Sequence, residues 1–170
     1  IVALVKAVPH VVRVTRRREF TGMISRADRY VAFVGIGVEP EEDPEFSRHM
    51  TMRAGRPLSP DDPYGVVAGL GLSQRIDAEP GALLTLAANS EKGALNATNA
   101  SLRGIFEGGL KEYDDWTLKV PLRAAQELLM DDRVEQIVLL LDKTESVAEV
   151  QGLLVKAFEK AELDLEVKPW

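Results

Sequence analysis

The residues able to bind a metal or move a proton are few and scattered. They are His10 and His49, the acidic run Glu39, Glu41, Glu42, Asp43 and Glu45, and the adjacent pair Asp114-Asp115. A catalytic zinc takes three protein ligands, and with two histidines far apart and no HExxH pattern, both read as surface or loop residues. The acidic run lacks the alternating D-x-D-x-D-G order that wraps calcium, and reads as a solvated, self-repelling loop. Asp114 and Asp115 fall where the pattern predicts a turn leading into a strand at Trp116. Neighbours on a strand point to opposite faces, so the two could not act together on one substrate. Ser59, Ser73, Ser90 and Ser101 sit in no GxSxG elbow. Gly35-Ile36-Gly37 and Gly69-Leu70-Gly71 begin a dinucleotide fingerprint without completing it: neither has the third glycine, and Pro40 stands in its place in the first. No P-loop is present, so the chain is not expected to be its own ATPase. The sequence assigns no catalytic, cofactor-binding or metal-ligating residue.

Composition narrows the classes further. The chain has 170 residues, 45% hydrophobic and 28% charged, as an ordinary folded domain has. Its formal charge of −6 argues against nucleic-acid binding, which needs a basic face. The absence of cysteine removes disulfides, thiol nucleophiles and Cys-based zinc sites, and leaves the redox compartment open. No apolar run approaches the roughly 18 residues of a membrane span. Arg16-Arg17-Arg18 is the one basic run. It reads as a solvated strand surface, with docking onto an acidic partner or anionic headgroups as the functional alternative. Met50 and Met52 read as residues of a mobile loop, with contact to a partner through their adaptable apolar side chains as the functional alternative. The sequons Asn96-Ala97-Thr98 and Asn99-Ala100-Ser101 read as coincidence.

Three regions should position these groups. Residues 1–38 begin with a short helix closed by Pro9, followed by strands over 11–24 and 30–38 joined by a polar turn at 25–28. Residues 39–133 open with a long acidic, proline-punctuated loop over 39–65, where regular structure is not expected. A short helix over 70–76, strands over 83–88 and 95–106, a Gly108-Gly109 turn, a strand over 116–120 and a helix opening at Pro121 follow. Leu122, Ala125, Leu128 and Leu129 give that last helix one apolar face. Residues 134–170 read as strand–helix–strand. Residues 137–141 form a continuous apolar run, expected to be buried on both faces. Ser146 and Glu149 are spaced as a capping box. Val147, Val150, Leu154, Ala157, Phe158 and Ala161 make a helical stripe, and Leu163, Leu165 and Val167 alternate as a closing strand in a right-handed parallel crossover.

The order GIFEGGLKEYDDWTLKVPLRAAQELL over residues 104–129, with VGIGVEP at 34–40 and GLGLSQRI at 69–76 before Pro80-Gly81, resembles the periplasmic core domain of MacB-like and FtsX-like ABC transporter permeases, the group that includes the lipoprotein-releasing LolC and LolE type. Gly81-Ala82 and Ser73 depart from the family's usual Gly-Asp and Ala. The resemblance implies an α+β fold. A ferredoxin-like, split βαβ "porter" subdomain is built from residues 1–38 and 134–170, and a small, mostly-β "sabre" subdomain is inserted over 39–133. It also implies a non-catalytic domain on the periplasmic side of the inner membrane, relaying the ATP-driven motion of membrane helices. Its implied partners are a cytoplasmic ATP-binding subunit, a second permease copy or paralogue, and a periplasmic adaptor or lipoprotein chaperone. A start at Ile1 without Met, and Lys168-Pro169-Trp170 at the other end, fit a piece cut from between two membrane spans. The rival reading is a free-standing soluble ligand-binding or regulatory module, which would need an apolar pocket with converging polar groups.

Overall fold

A computed structural model describes residues 1–41, 50–90 and 92–169. Glu42, Asp43, Glu45, His49 and Trp170, read above from the sequence, lie outside the described residues. The fold is α+β, in two compact units. One comprises Ile1–Thr15 and Ile137–Trp170, and the other Arg16–Gln136. Residues 16–38, which the sequence reading groups with the chain ends, fall in the second unit because their pairing partners lie there.

In the larger unit the strand pairings close on themselves. β1 (Val11–Arg26) and β2 (Arg29–Val38) form an antiparallel ribbon from Arg17↔Val38 to Arg26↔Arg29. Its two-residue turn places Ala27 at φ 54, the left-handed conformation that tight hairpins need. β3 (Thr51–Gly55) follows, then β4 (Gly65–Gly69), the short helix α1 (Leu70–Arg75), β5 (Leu83–Asn89) and β6 (Leu95–Glu107). Next come helix α2 (Lys111–Trp116), β7 (Thr117–Pro121) and helix α3 (Leu122–Leu129). β2 pairs parallel with β7, β7 antiparallel with β4, β4 parallel with β6, β6 antiparallel with β5, and β5 antiparallel with β1. The circuit β1-β2-β7-β4-β6-β5 therefore returns to β1, and β3 is a spur on β6. Its core gathers Phe20, Ile24, Phe33, Leu72, Leu102 and Leu118. The predicted apolar face of α3 is the buried one: Leu122, Ala125, Leu128 and Leu129. Pro121 precedes its first turn as N-cap, with φ −56 already near helical.

Two local expectations fail here. β3 is regular structure inside the stretch expected to be loop, because the far end of β6 offers it a partner from Thr51↔Glu107 to Gly55↔Gly104. Gly55 ends the strand at φ +70, a conformation that disfavours any side chain. The second failure is α2. Residues read as a turn into a strand form a helix, and the strand starts at Thr117, one residue after the expected Trp116.

The smaller unit is built from helix α4 (Val2–Lys6), the first residues of β1, β8 (Gln136–Leu141), a 3₁₀ turn (Thr144–Ser146) and helix α5 (Val147–Lys160). Its core is Val5, Val14, Val150, Leu154 and Phe158, with Ile137, Leu139 and Leu141 packed against it. The helical stripe thus holds at Val150, Leu154 and Phe158. β8 is half-buried where both faces were expected to be covered. Ser146 makes no capping bond: it ends the 3₁₀ turn at φ −78, ψ −5, a helical conformation, whereas a capping side chain needs extended backbone. Residues 163–169 form no strand, so the predicted crossover lacks its closing member. Leu163 and Val167 pack on the core at a spacing of four while Leu165 is exposed, and Gln151 Nε2 donates to Val167 O at 3.2 Å in place of a ladder.

Candidate functional site

Among the described residues, the candidate chemical groups are dispersed. His10 sits at φ 70 in the smaller unit, with Nδ1 3.1 Å from both carboxylate oxygens of Asp142. That hydrogen bond, and then the imidazole's charge, hold the Asp142 carboxyl below its usual range. The Asp142 N–H also donates to His10 O at 3.0 Å, so the pair ties the start of β1 to the end of β8. It is a structural clasp. Asp114 and Asp115 lie on helix α2, not on a strand. Asp114 is buried and accepts the Gly108 N–H at 2.7 Å, fixing the Gly108-Gly109 turn. Asp115 accepts from Lys111 Nζ at 2.9 Å across one helical turn, and that bond raises the Lys111 pKa. The two carboxylates thus do separate structural work. Among the described residues, no group of three or more His, Asp or Glu side chains could hold a metal ion.

The basic run corrects its sequence reading. Arg17 and Arg18 are both buried, at 5% exposure. Successive strand residues point to opposite faces, so β1 is covered on both sides at this point. Arg18 Nη2 meets Asp131 Oδ2 at 3.0 Å and Nη1 meets Glu135 Oε1 at 3.4 Å. A side-chain hydrogen bond from Arg133 holds Asp131 below the usual carboxylate range. Arg16 donates from its backbone N–H to Glu39 Oε2 at 2.9 Å and from Nε to Oε1 at 3.0 Å. The run is largely an internal cross-brace, which leaves little of it for headgroups. The hydropathy pattern could not show this, because arginine scores as surface wherever it lies.

The glycines of the failed fingerprints are packing devices. Gly35 lies directly opposite Phe20, whose ring covers it. Gly37 makes room for Ala125 of α3, and Gly69 for the backbone at Asp114. The sequons are structural too. Asn96 Nδ2 donates to Leu128 O at 3.0 Å and Glu127 O at 3.3 Å, satisfying the last carbonyls of α3. Thr85 Oγ1 donates to Asn99 Oδ1 at 3.2 Å.

The concavities are poor ligand sites. An apolar void of about 10 Å³ lies between Phe20, Val66, Leu86, Val120 and Leu128, no larger than a single water needs. An open depression of about 310 Å³ is bordered by Ser25, Arg26, Leu83, Thr85 and Asn99. Neither offers the enclosed apolar pocket with convergent polar groups that a small-molecule binder uses.

What remains is the architecture itself. The chain superposes on the extracellular domain of the noncanonic ABC-type transporter YknZ from Gram-positive bacteria with a TM-score of 0.71, at 8% identity, over 94% of this chain and 81% of that one. The periplasmic region of MacB from Actinobacillus actinomycetemcomitans matches with a TM-score of 0.64 at 14% identity, over 91% and 72%. A domain of a putative permease protein from Porphyromonas gingivalis matches with a TM-score of 0.58 at 14% identity, over 93% and 68%. The fold is that of the extracytoplasmic domains of ABC-type permeases. No protein-family model matches the sequence, and no curated protein does. At such identities, this permease-domain fold is held by pattern and packing, with little sequence in common. No helix among the described residues is long and apolar enough to cross a membrane.

Proposed function

We propose that this chain is the extracytoplasmic domain of an ABC transporter permease and works without catalysing a reaction. The observation that carries this reading is the shared fold over 94% of the chain with the YknZ extracellular domain. The unit built from both chain ends would correspond to the porter-like subdomain next to the membrane, and the inserted unit of residues 16–136 to the sabre-like one. ATP binding by a cytoplasmic subunit would move the membrane helices, and the domain would transmit that motion to substrate, second permease copy, adaptor or lipoprotein chaperone. The structural contacts made by His10, Asp114, Asp115 and Asp142 are in keeping with this reading. Sequencing the parent reading frame tests it. Apolar segments of about 20 residues abutting both ends are expected; a start codon just before Ile1 and a stop just after Trp170 would refute it and favour the free-standing module.

A further inference from the structure

Arg18, Arg53, Arg103 and Arg123 are each held by a carboxylate, of Asp131, Glu107, Asp62 and Glu127 in turn. Arg29 and Arg75 are held differently. Arg29 Nη1 donates to Arg75 O at 3.4 Å and Arg75 Nη1 to Asp115 O at 3.3 Å, and among the described residues neither guanidinium makes a salt bridge. The Arg75 guanidinium lies over the Trp116 ring, 3.9 Å from its centroid, and Trp116 is 42% exposed. Arg29 faces Arg26 as the closing pair of the β1–β2 hairpin, a like-charge pairing that costs stability. Both satisfy carbonyls at the end of α1, Arg26 reaching Asp77 O, which are groups a helix leaves orphaned there. That accounts for where the arginines sit and uses few of their donors. A cation anchored by neutral carbonyls keeps its charge uncompensated, while its side chain is already ordered for a partner.

We propose that Arg29, Arg75 and Trp116 form a docking site for an acidic segment of another protein. Charge complementarity selects that occupant. The guanidinium fork matches a carboxylate, with two parallel N–H donors to its two oxygens. The chain's net charge of −6 repels an acidic segment from most of the remaining surface, so the uncompensated arginines fix where it lands. An exposed Trp beside Arg is also the composition in which binding energy concentrates at protein interfaces. A flat anionic membrane fits less well. Asp28 lies in the same hairpin turn, and the exposed Asp77 lies beside Arg26. Those carboxylates oppose a continuous sheet of negative charge, whereas a protein segment can place its acidic side chains between them. The site lies wholly in the larger unit, and the proposal holds whatever flanks the chain.

The chain carries two tryptophans, Trp116 and Trp170, so Trp170→Phe leaves Trp116 as the only indole and as a reporter within the site. After its melting curve is compared with the parent's, this chain is titrated with a short glutamate-rich peptide at low salt. A saturable change in Trp116 emission is expected, lost at high salt and absent with the matched glutamine peptide. Arg29→Gln and Arg75→Gln should each weaken binding about tenfold, the scale of one charge-assisted hydrogen bond. Arg123→Gln, on the exposed side of α3, should leave it unchanged. Arg29→Glu combined with Arg75→Glu should reverse the preference and take a lysine-rich peptide, which a chain that had merely lost its fold could not do. No saturable response, an equal response to the glutamine peptide, or unchanged affinity in both Arg→Gln variants would overturn the proposal. So would tighter binding of phosphatidylglycerol vesicles than of the peptide, weakened by the same substitutions, which would assign the site to a membrane.

Discussion

Replacing Gly35 by alanine should destabilise the domain only while Phe20 is present. In the β1–β2 ribbon the two residues are directly opposed, and a Cβ on Gly35 would meet the Phe20 ring at several atoms, Cε2 at 2.8 Å among them. The ring cannot easily step aside: it stands edge-on to Phe33 with centroids 5.6 Å apart, and both are buried. Overpacking of this kind costs about 1–3 kcal/mol. Phe20→Ala alone should cost about 3–5 kcal/mol through lost burial and the cavity left behind. In that cavity the new methyl finds space, and alanine restricts the unfolded chain more than glycine, so Gly35→Ala should then be neutral or stabilising by about 0.5 kcal/mol. The sign of one substitution thus depends on the other residue. Urea unfolding of the four chains in a double-mutant cycle, followed by far-UV circular dichroism, measures the coupling. Additivity within about 0.5 kcal/mol would refute the reasoning and leave Gly35 a residue with some other purpose.

Two further outcomes follow from the clasps described above. Asp114→Ala should cost about 1–3 kcal/mol by orphaning the Gly108 N–H, whereas Asp114→Asn, which keeps a carbonyl acceptor, should cost clearly less in the same unfolding assay. The Asp142 carboxyl is lowered in the folded state, so its contribution to stability is present above the unfolded carboxylate range and is lost as pH falls through the lowered value. In His10→Asn, which tolerates the left-handed backbone, an NMR titration of the Asp142 side chain should move up toward the ordinary range; an unchanged midpoint would mean that His10 does not set it.

Much of the architecture was legible because periodicity survives at very low identity. The α3 face at Leu122, Ala125, Leu128 and Leu129, the β1–β2 ribbon and the α5 stripe each repeat a pattern that one buried face imposes. What escaped depended on partners distant in sequence. β3 is a strand only because β6 extends past β5 to receive it. Arg17, Arg18 and the fully buried Lys119 are inside because other elements cover β1 and β7. The misreading of Lys111–Trp116 had a local cause. A polar, aromatic-ended hexamer satisfies strand and helix patterns alike, and the Asp114 bond to Gly108 decides between them.

The closed circuit of pairings also sets a timetable for synthesis. β1 and β2 leave the ribosome before the other strands and can form their hairpin at once, but β2 has no second neighbour until Thr117–Pro121 has been made. At about 5–20 residues per second the free edge of β2 waits several seconds for its partner. The start of β1 waits longer still, since β8 (Gln136–Leu141) comes later. Each unit thus has an early strand whose partner is translated much later. Over that interval the hairpin is the species most exposed to wrong partners, and a natural client for whatever holds nascent chains.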